Sequence, residues 1–211
     1  HVFLPSQNPW PCRYHEAKLQ AANAFRKVYF QPPKPYAPKH HKYDTDYFAK
    51  LNQDLSRPFY NKATQQLTAP GSTFKVVTAV AGMEEGIVTD GYTVLCGGKF
   101  DKIPDGPNCW LRSGHGYMNV VSGITNSCNV FMGQVAYDLG TDEDGEFSND
   151  LGLQKLEKYA DMFGLTEKSG LEISEESPKF SDTDAIRSAF GQGNHNMTTS
   201  QLASYVTAIA S

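Results

Sequence analysis

The sequence predicts an α+β class, with helices dominating and strands short. Apolar residues recur at three- and four-residue steps over 74–84, 120–139, 153–164 and 202–210, the period of helices with one buried face. Between these runs lie Gly- and Pro-rich stretches carrying short strand-like pieces such as YTVLC at 92–96. The 211 residues are 39% hydrophobic and 12% aromatic, enough for one sizeable core and against wholesale disorder.

Along the chain, residues 1–43 stand apart. FQPPKPYAPKHHK (30–42) is rich in proline and basic residues and has no usable period. Residues 1–43 are therefore expected to be an extended arm or linker, a solvated connector by default, and 44–211 the globular portion. DYFAKLNQDL (46–55) can form a short helix, and SRPFYNKATQQL (56–67) reads as a loop leading into a second. Pro70-Gly71 marks a turn, which places Ser72 at the N-cap or first turn of a helix that Gly86 ends. Residues 120–140 read as two helices broken near Asn126–Asn129. TDEDGEFSND (141–150) is an acidic surface loop, LQKLEKYADMFG (153–164) an amphipathic helix, and LASYVTAIA (202–210) a helix apolar enough to be buried. There are no internal repeats.

Composition excludes some functions. A formal net charge of −4 gives no electrostatic footprint for nucleic acid. No apolar run approaches the roughly 18 residues of a membrane span, and the N-terminus lacks the charged-then-apolar pattern of a signal peptide. A soluble piece is expected, with any anchor outside it.

Ser72 and Lys75 are three apart at the start of a helix, so Oγ and Nζ fall on one face. A lysine partly desolvated in a cleft has a lowered pKa and can take the serine proton. The helix N-terminus favours the negative charge that develops in acyl transfer. S-x-x-K alone is a weak signal that arises by chance. It gains weight from Ser127-Cys128-Asn129, because S-x-x-K and an S-x-N tripeptide belong to one catalytic set. Ser127 and Asn129 project to one side, as a proton relay and a substrate-amide ligand, and Cys128 to the other.

These motifs and their surroundings resemble the transpeptidase domain of class B penicillin-binding proteins, in the penicillin-binding protein 2 or sporulation-type branch. The matching segments are LSRPFYNKATQQLTAPGSTFKVVTAVAGMEEGIV, GHGYMNVVSGITNSCNVFMGQVAYDLG, FGLTEKSGLEI and FGQGNHNMTTSQLASYVTAIAS, in the family's order across 44–211. The resemblance implies a penicillin-binding/serine β-lactamase-like transpeptidase fold, an antiparallel sheet flanked by helices. It implies an acyl-serine D,D-transpeptidase that cross-links peptidoglycan stem peptides and is acylated by β-lactam antibiotics. Ser72 is then the nucleophile, Lys75 its base, and Ser127 and Asn129 the second motif. It also implies a place on the extracytoplasmic face of the bacterial cytoplasmic membrane, beside a membrane glycosyltransferase of the elongation or sporulation machinery. The family's third motif, K-[ST]-G, lies on a strand beyond the last helix, which this sequence does not reach. The fold is therefore expected to be incomplete, and the activity of this chain alone is left open. Lys168-Ser169-Gly170 fits that motif in letters but sits in FGLTEKSGLEI, away from the substrate, and reads as a decoy. A β-lactam-sensing receptor domain and a non-catalytic envelope fragment are the alternatives; a β-lactamase ranks below them because no base for deacylation can be identified.

Cys96, Cys109, His115 and Cys128 are spaced 13, 6 and 13 residues apart, and three thiols with one imidazole make a tetrahedral zinc set in chemical type. Elongation-type members of the family resemble this, with zinc held between the first two motifs by carboxylate, His and Cys ligands. A structural Zn2+ holding the S-x-N segment, a disulfide such as Cys96–Cys109, and free thiols all remain open here. Cys12 is isolated in sequence, and His195, in GQGNHNM, reads as a loop histidine with no catalytic part.

Overall fold

The structure is a computed structural model that describes residues 45–210, with side chains from residue 49 onward. The expected arm at 1–43, including Cys12, lies outside the described residues. Helix α1 spans Thr45–Gln53 and α2 spans Lys62–Gln65, where Asn61 caps α2 by accepting the Ala63 N–H. Strand β1 (Leu67–Thr68) leads through Pro70 into a 3-10 turn, Gly71–Phe74, which continues as helix α3, Lys75–Glu84. Ser72 thus lies in the first turn rather than at a side-chain cap. Gly86 ends α3 with φ +73°, a left-handed conformation that suits glycine.

Strands β2 (Val94–Cys96) and β3 (Gly116–Met118) pair antiparallel, Leu95 opposite Tyr117. The two helices expected after them are α4 (Val120–Thr125) and α5 (Asn129–Leu139). Asn119 and Ser122 form a capping box at the start of α4, and the sulfur of Cys128 caps α5 by accepting the Phe131 N–H. The acidic loop 141–146 is largely exposed, and α6 (Asn149–Met162) starts at an N-capping Ser148, earlier than the apolar period alone suggests. Helix α7 (Ala185–Ser188), strand β4 (Met197–Thr198) and helix α8 (Thr199–Ala210) follow.

Helix α3 packs against α5 and α6, with Phe74, Val77, Ala81, Phe131, Val135 and Leu156 in one apolar core. Strand β1 pairs antiparallel with β4, and among the described residues the named strands form two separate two-stranded sheets rather than one. One expectation fails in α8. Its Val206 is 48% and Ile209 43% exposed, and only Ser200, Gln201 and Tyr205 are buried along it. The helix is held by polar anchors near its start and by Tyr205, so apolar content alone misjudged its burial.

Candidate active site

Ser72 is placed by contacts from distant parts of the chain. The Gly71 N–H donates to Gly191 O at 3.0 Å, the Tyr205 hydroxyl donates to Thr73 O at 2.7 Å, and the Thr78 hydroxyl donates to Ala189 O at 2.6 Å. Beneath the turn, Phe74 packs on the His195 ring with centroids 4.8 Å apart, and Phe180 meets the same ring edge-on at 4.8 Å. His195 is buried, and its Nδ1 accepts the Ser181 N–H at 3.1 Å while Nε2 lies 3.2 Å from Ser188 O. Burial holds its pKa down at about 4, so the ring is neutral and the second bond makes Nε2 the donor. It is a structural histidine under the loop.

Ser72 is an exposed residue, whereas Lys75 is 2% exposed. The three N–H groups of Lys75 Nζ point at Ser127 O (2.7 Å), Ser127 Oγ (2.8 Å) and Asn129 Oδ1 (2.7 Å). Ser127 Oγ in turn donates to Ser72 Oγ at 3.0 Å. The four motif residues are therefore brought together, but Ser127 stands between the serine and the lysine. Burial lowers the Lys75 pKa to about 8, against the opposing pull of the Cys109 and Cys128 thiols. Ser127 takes φ +48°, unusual for a residue with a side chain, and this aims its Oγ toward both partners. Such an array can move a proton from the hydroxyl of an exposed serine to a buried amine.

Lys168-Ser169-Gly170 does not join this site. Lys168 is exposed, while Ser169 is buried and bonds Glu175 Oε2 through its N–H at 2.7 Å and Oε1 through its hydroxyl at 2.9 Å. Thr198 and Ser200 hydroxyls donate to the same carboxylate, which ties this segment to β4 and α8.

Behind the S-x-N tripeptide, Cys96, Cys109, His115 and Cys128 converge, with all four donor atoms within 4.8 Å of one another. Cys96 Sγ and Cys109 Sγ each lie 3.5 Å from His115 Nδ1, and Cys109 Sγ lies 4.0 Å from Cys128 Sγ. Bond lengths of about 2.3 Å to sulfur and 2.0 Å to nitrogen give a tetrahedron with edges of roughly 3.8 Å (S to S) and 3.5 Å (S to N). The two S to N spacings of 3.5 Å and the S to S spacing of 4.0 Å lie close to those edges, while the set as a whole is bounded only by 4.8 Å. The three cysteines are free thiols, so no Cys96–Cys109 disulfide is formed. Burial pushes the Cys128 thiol up to about 12. Burial also acts on Cys109, but backbone N–H groups of Asn129, Leu111 and Val130 outweigh it and hold this thiol below its usual range. The buried Nε2 of His115 has no hydrogen-bond partner among the described residues.

Sequence reasoning missed Gly191 and Tyr205. Gly191 and Tyr205 act on Ser72 across more than a hundred residues, and GQG was the only signal near either of them.

An exposed serine linked through a second serine to a buried amine thus stands at the head of the core helix, on helices edged by short antiparallel strands. Residues 32–211 match the family model of the penicillin-binding protein transpeptidase domain, and the chain belongs to that family. It is 32% identical over 133 residues to the peptidoglycan D,D-transpeptidase MrdA of Haemophilus influenzae, covering 62% of this chain and 18% of the relative. It is 31% identical over 139 residues to the stage V sporulation protein D of Bacillus subtilis, covering 59% and 19%. The chain thus spans about a fifth of the length of the curated relatives it matches. Among solved structures, Pseudomonas aeruginosa PBP2 in complex with WCK 5153 superposes with a TM-score of 0.67 at 24% identity, over 78% of this chain and 39% of that one. A component of a peptidoglycan synthase complex gives 0.69 at 24%, over 95% and 39%. These likenesses establish the penicillin-binding transpeptidase fold.

Proposed function

We propose that this chain carries the nucleophile of an acyl-serine D,D-transpeptidase of peptidoglycan synthesis. The observation that carries the reading is the hydrogen-bonded line from Ser72 Oγ through Ser127 Oγ to Lys75 Nζ, with the lysine pKa near 8. With Lys75 neutral, the line reverses: the Ser72 hydroxyl donates to Ser127 Oγ, and Ser127 donates to the amine. Ser72 Oγ attacks the carbonyl between the two terminal D-Ala residues of a stem peptide. The C–N bond breaks, the terminal D-Ala leaves with a proton returned along the same line, and an acyl-serine remains. The amine of a neighbouring stem then takes the acyl group and regenerates Ser72. A β-lactam acylates Ser72 in the same way through its ring amide. N–H groups of the Gly71–Phe74 turn, at the positive end of α3, favour the developing oxyanion. Asn129 Nδ2 donates to Asn108 O at 3.2 Å, which leaves its second N–H for a substrate carbonyl.

In this reading 44–211 belongs to the transpeptidase domain and 1–43 is an arm, the last part of which, from residue 32, already falls within the family match. The protein works at the bacterial envelope among cell-wall synthesis partners, including a glycosyltransferase. The relatives named MrdA support this, as does a PBP2 solved in complex with MreC from Helicobacter pylori.

The four-donor cluster fits a structural Zn2+ held by Cys96 Sγ, Cys109 Sγ, Cys128 Sγ and His115 Nδ1. A closed set of four protein ligands gives no water to activate, so the ion would fix Cys128 and with it the tripeptide. Metal analysis after chelator-free purification is expected to give about one zinc per chain, and a ratio near zero would remove the ion from the account.

Intact mass after incubation with a labelled penicillin tests the acylation. One adduct per chain is expected, absent from Ser72→Ala; an unmodified wild-type mass would contradict the reading.

A further inference from the structure

Three consecutive residues, 108–110, grip the S-x-N loop at successive points. Asn108 O accepts from Asn129 Nδ2 at 3.2 Å, Cys109 Sγ lies 4.0 Å from Cys128 Sγ, and the Trp110 indole N–H donates to Asn126 O at 2.9 Å. The first two belong to groups already described; the third does not. Trp110 is 63% exposed, so burial is not what keeps a tryptophan there. Its ring stands edge-on to His115 with centroids 5.2 Å apart, which fixes the direction of the indole N–H.

Asn126 is the C-cap of α4, where backbone carbonyls run out of helical donors. The indole, a donor only, fills one of these positions. On the other side of the same peptide unit, the Ser127 N–H donates to Ile124 O at 2.9 Å, and the next amide, Cys128 N–H, donates to Gly123 O at 2.8 Å. The peptide between Asn126 and Ser127 is therefore pinned at both ends, and the rotation that follows it is the φ +48° of Ser127. That rotation aims Ser127 Oγ at Ser72 and Lys75.

We propose that Trp110 is a positioning residue: its indole N–H locks the Asn126–Ser127 peptide and so holds the Ser127 hydroxyl in line between Ser72 and Lys75. It acts through the backbone and touches no reacting atom. The kinetic part of the test rests on the acyl-serine reading; the exchange part does not.

Two variants separate donor from ring. Trp110→Phe keeps an aromatic ring without the donor. Trp110→Gln discards the ring but carries an N–H group the same number of bonds from Cβ. Acylation by a penicillin is followed over a concentration series, giving the saturating rate and the dissociation constant of the initial complex. Amide exchange of Ser127 and Cys128 is measured in the same proteins without ligand, below the melting temperature of each. Trp110→Phe is expected to lower the saturating rate about tenfold or more with the dissociation constant unchanged, and to speed both amides, while Trp110→Gln stays close to wild type in both. The proposal is overturned if Trp110→Phe matches wild type, if only its dissociation constant changes, or if the two variants are equally impaired. If wild type is not acylated, the functional reading fails, and exchange alone decides: equal rates in wild type and Trp110→Phe overturn the positioning role.

Discussion

Replacing Gly191 by alanine tests how the Ser72 turn is held. A Cβ on Gly191 would lie 1.9 Å from Gly71 O, 2.6 Å from Gly71 C and 2.7 Å from Gly71 N, all backbone atoms that cannot rotate away. Relief to the 3.4 Å of ordinary contact requires a displacement of about 1.5 Å. Gly191 also has φ +75°, which costs an L-residue about 1–2 kcal/mol before any clash is counted. The displacement falls on the residue adjacent to Ser72 and breaks the Gly71 N–H to Gly191 O bond. It exceeds the slack of the 3.0 Å contact between Ser72 Oγ and Ser127 Oγ. A misplacement of this size is worth roughly 10²-fold in rate, and the combined strain about 3 kcal/mol or more in stability. Urea unfolding gives the stability loss and the rate of penicillin acylation the functional one. A Gly191→Ala protein with wild-type midpoint and rate would refute the idea that this close approach sets the position of Ser72.

Acylation should rise with pH through about 8 and level off above it, because only neutral Lys75 accepts the proton and burial has lowered its pKa to that value. Lys75→Arg, which keeps its charge, is expected to lose roughly 10²–10⁴-fold and the pH dependence with it, as read from rates between pH 6 and 10. His195 works in the opposite sense on stability. Above its unfolded pKa of 6.5 both states are neutral; below that the unfolded chain binds a proton that the native ring, with a pKa near 4, refuses. Stability should therefore fall by about 3 kcal/mol as pH drops from 6.5 to 4, and urea titrations of His195→Gln should lack this part of the slope. Chelation of a Zn2+ at Cys96, Cys109, His115 and Cys128 should lower the melting temperature and slow acylation; identical melting with and without chelator would remove the metal from the account.

The convergence of Ser72, Lys75, Ser127 and Asn129 was legible because two short motifs carry them, and each motif sits where helix punctuation is strong. Pro70-Gly71 opens one helix, and TNSCN breaks two others. The donor set Cys96, Cys109, His115 and Cys128 could also be read from residue types, although spacing did not say that Nδ1 is the histidine atom facing the sulfurs. What could not be read depends on approach between distant backbones. The proximity of Gly191 to Gly71 leaves no periodic trace, and the bond from Trp110 to Asn126 O joins a side chain to a carbonyl, which any residue could supply. Lys75 was expected beside Ser72 from their helical spacing, whereas the lysine turns inward to Ser127 and Asn129. Burial in α8 was misjudged because apolar content says which residues favour a core, not whether a neighbouring element covers them.

The central claim is that Ser72 is the acylated atom's owner. Trypsin releases it in the peptide ATQQLTAPGSTFK, residues 63–75, which also contains three threonines. Fragmentation of that peptide from penicillin-treated protein should place the adduct on Ser72 and nowhere else. An adduct on a threonine, or on a peptide carrying Cys96, Cys109 or Cys128, would contradict the account.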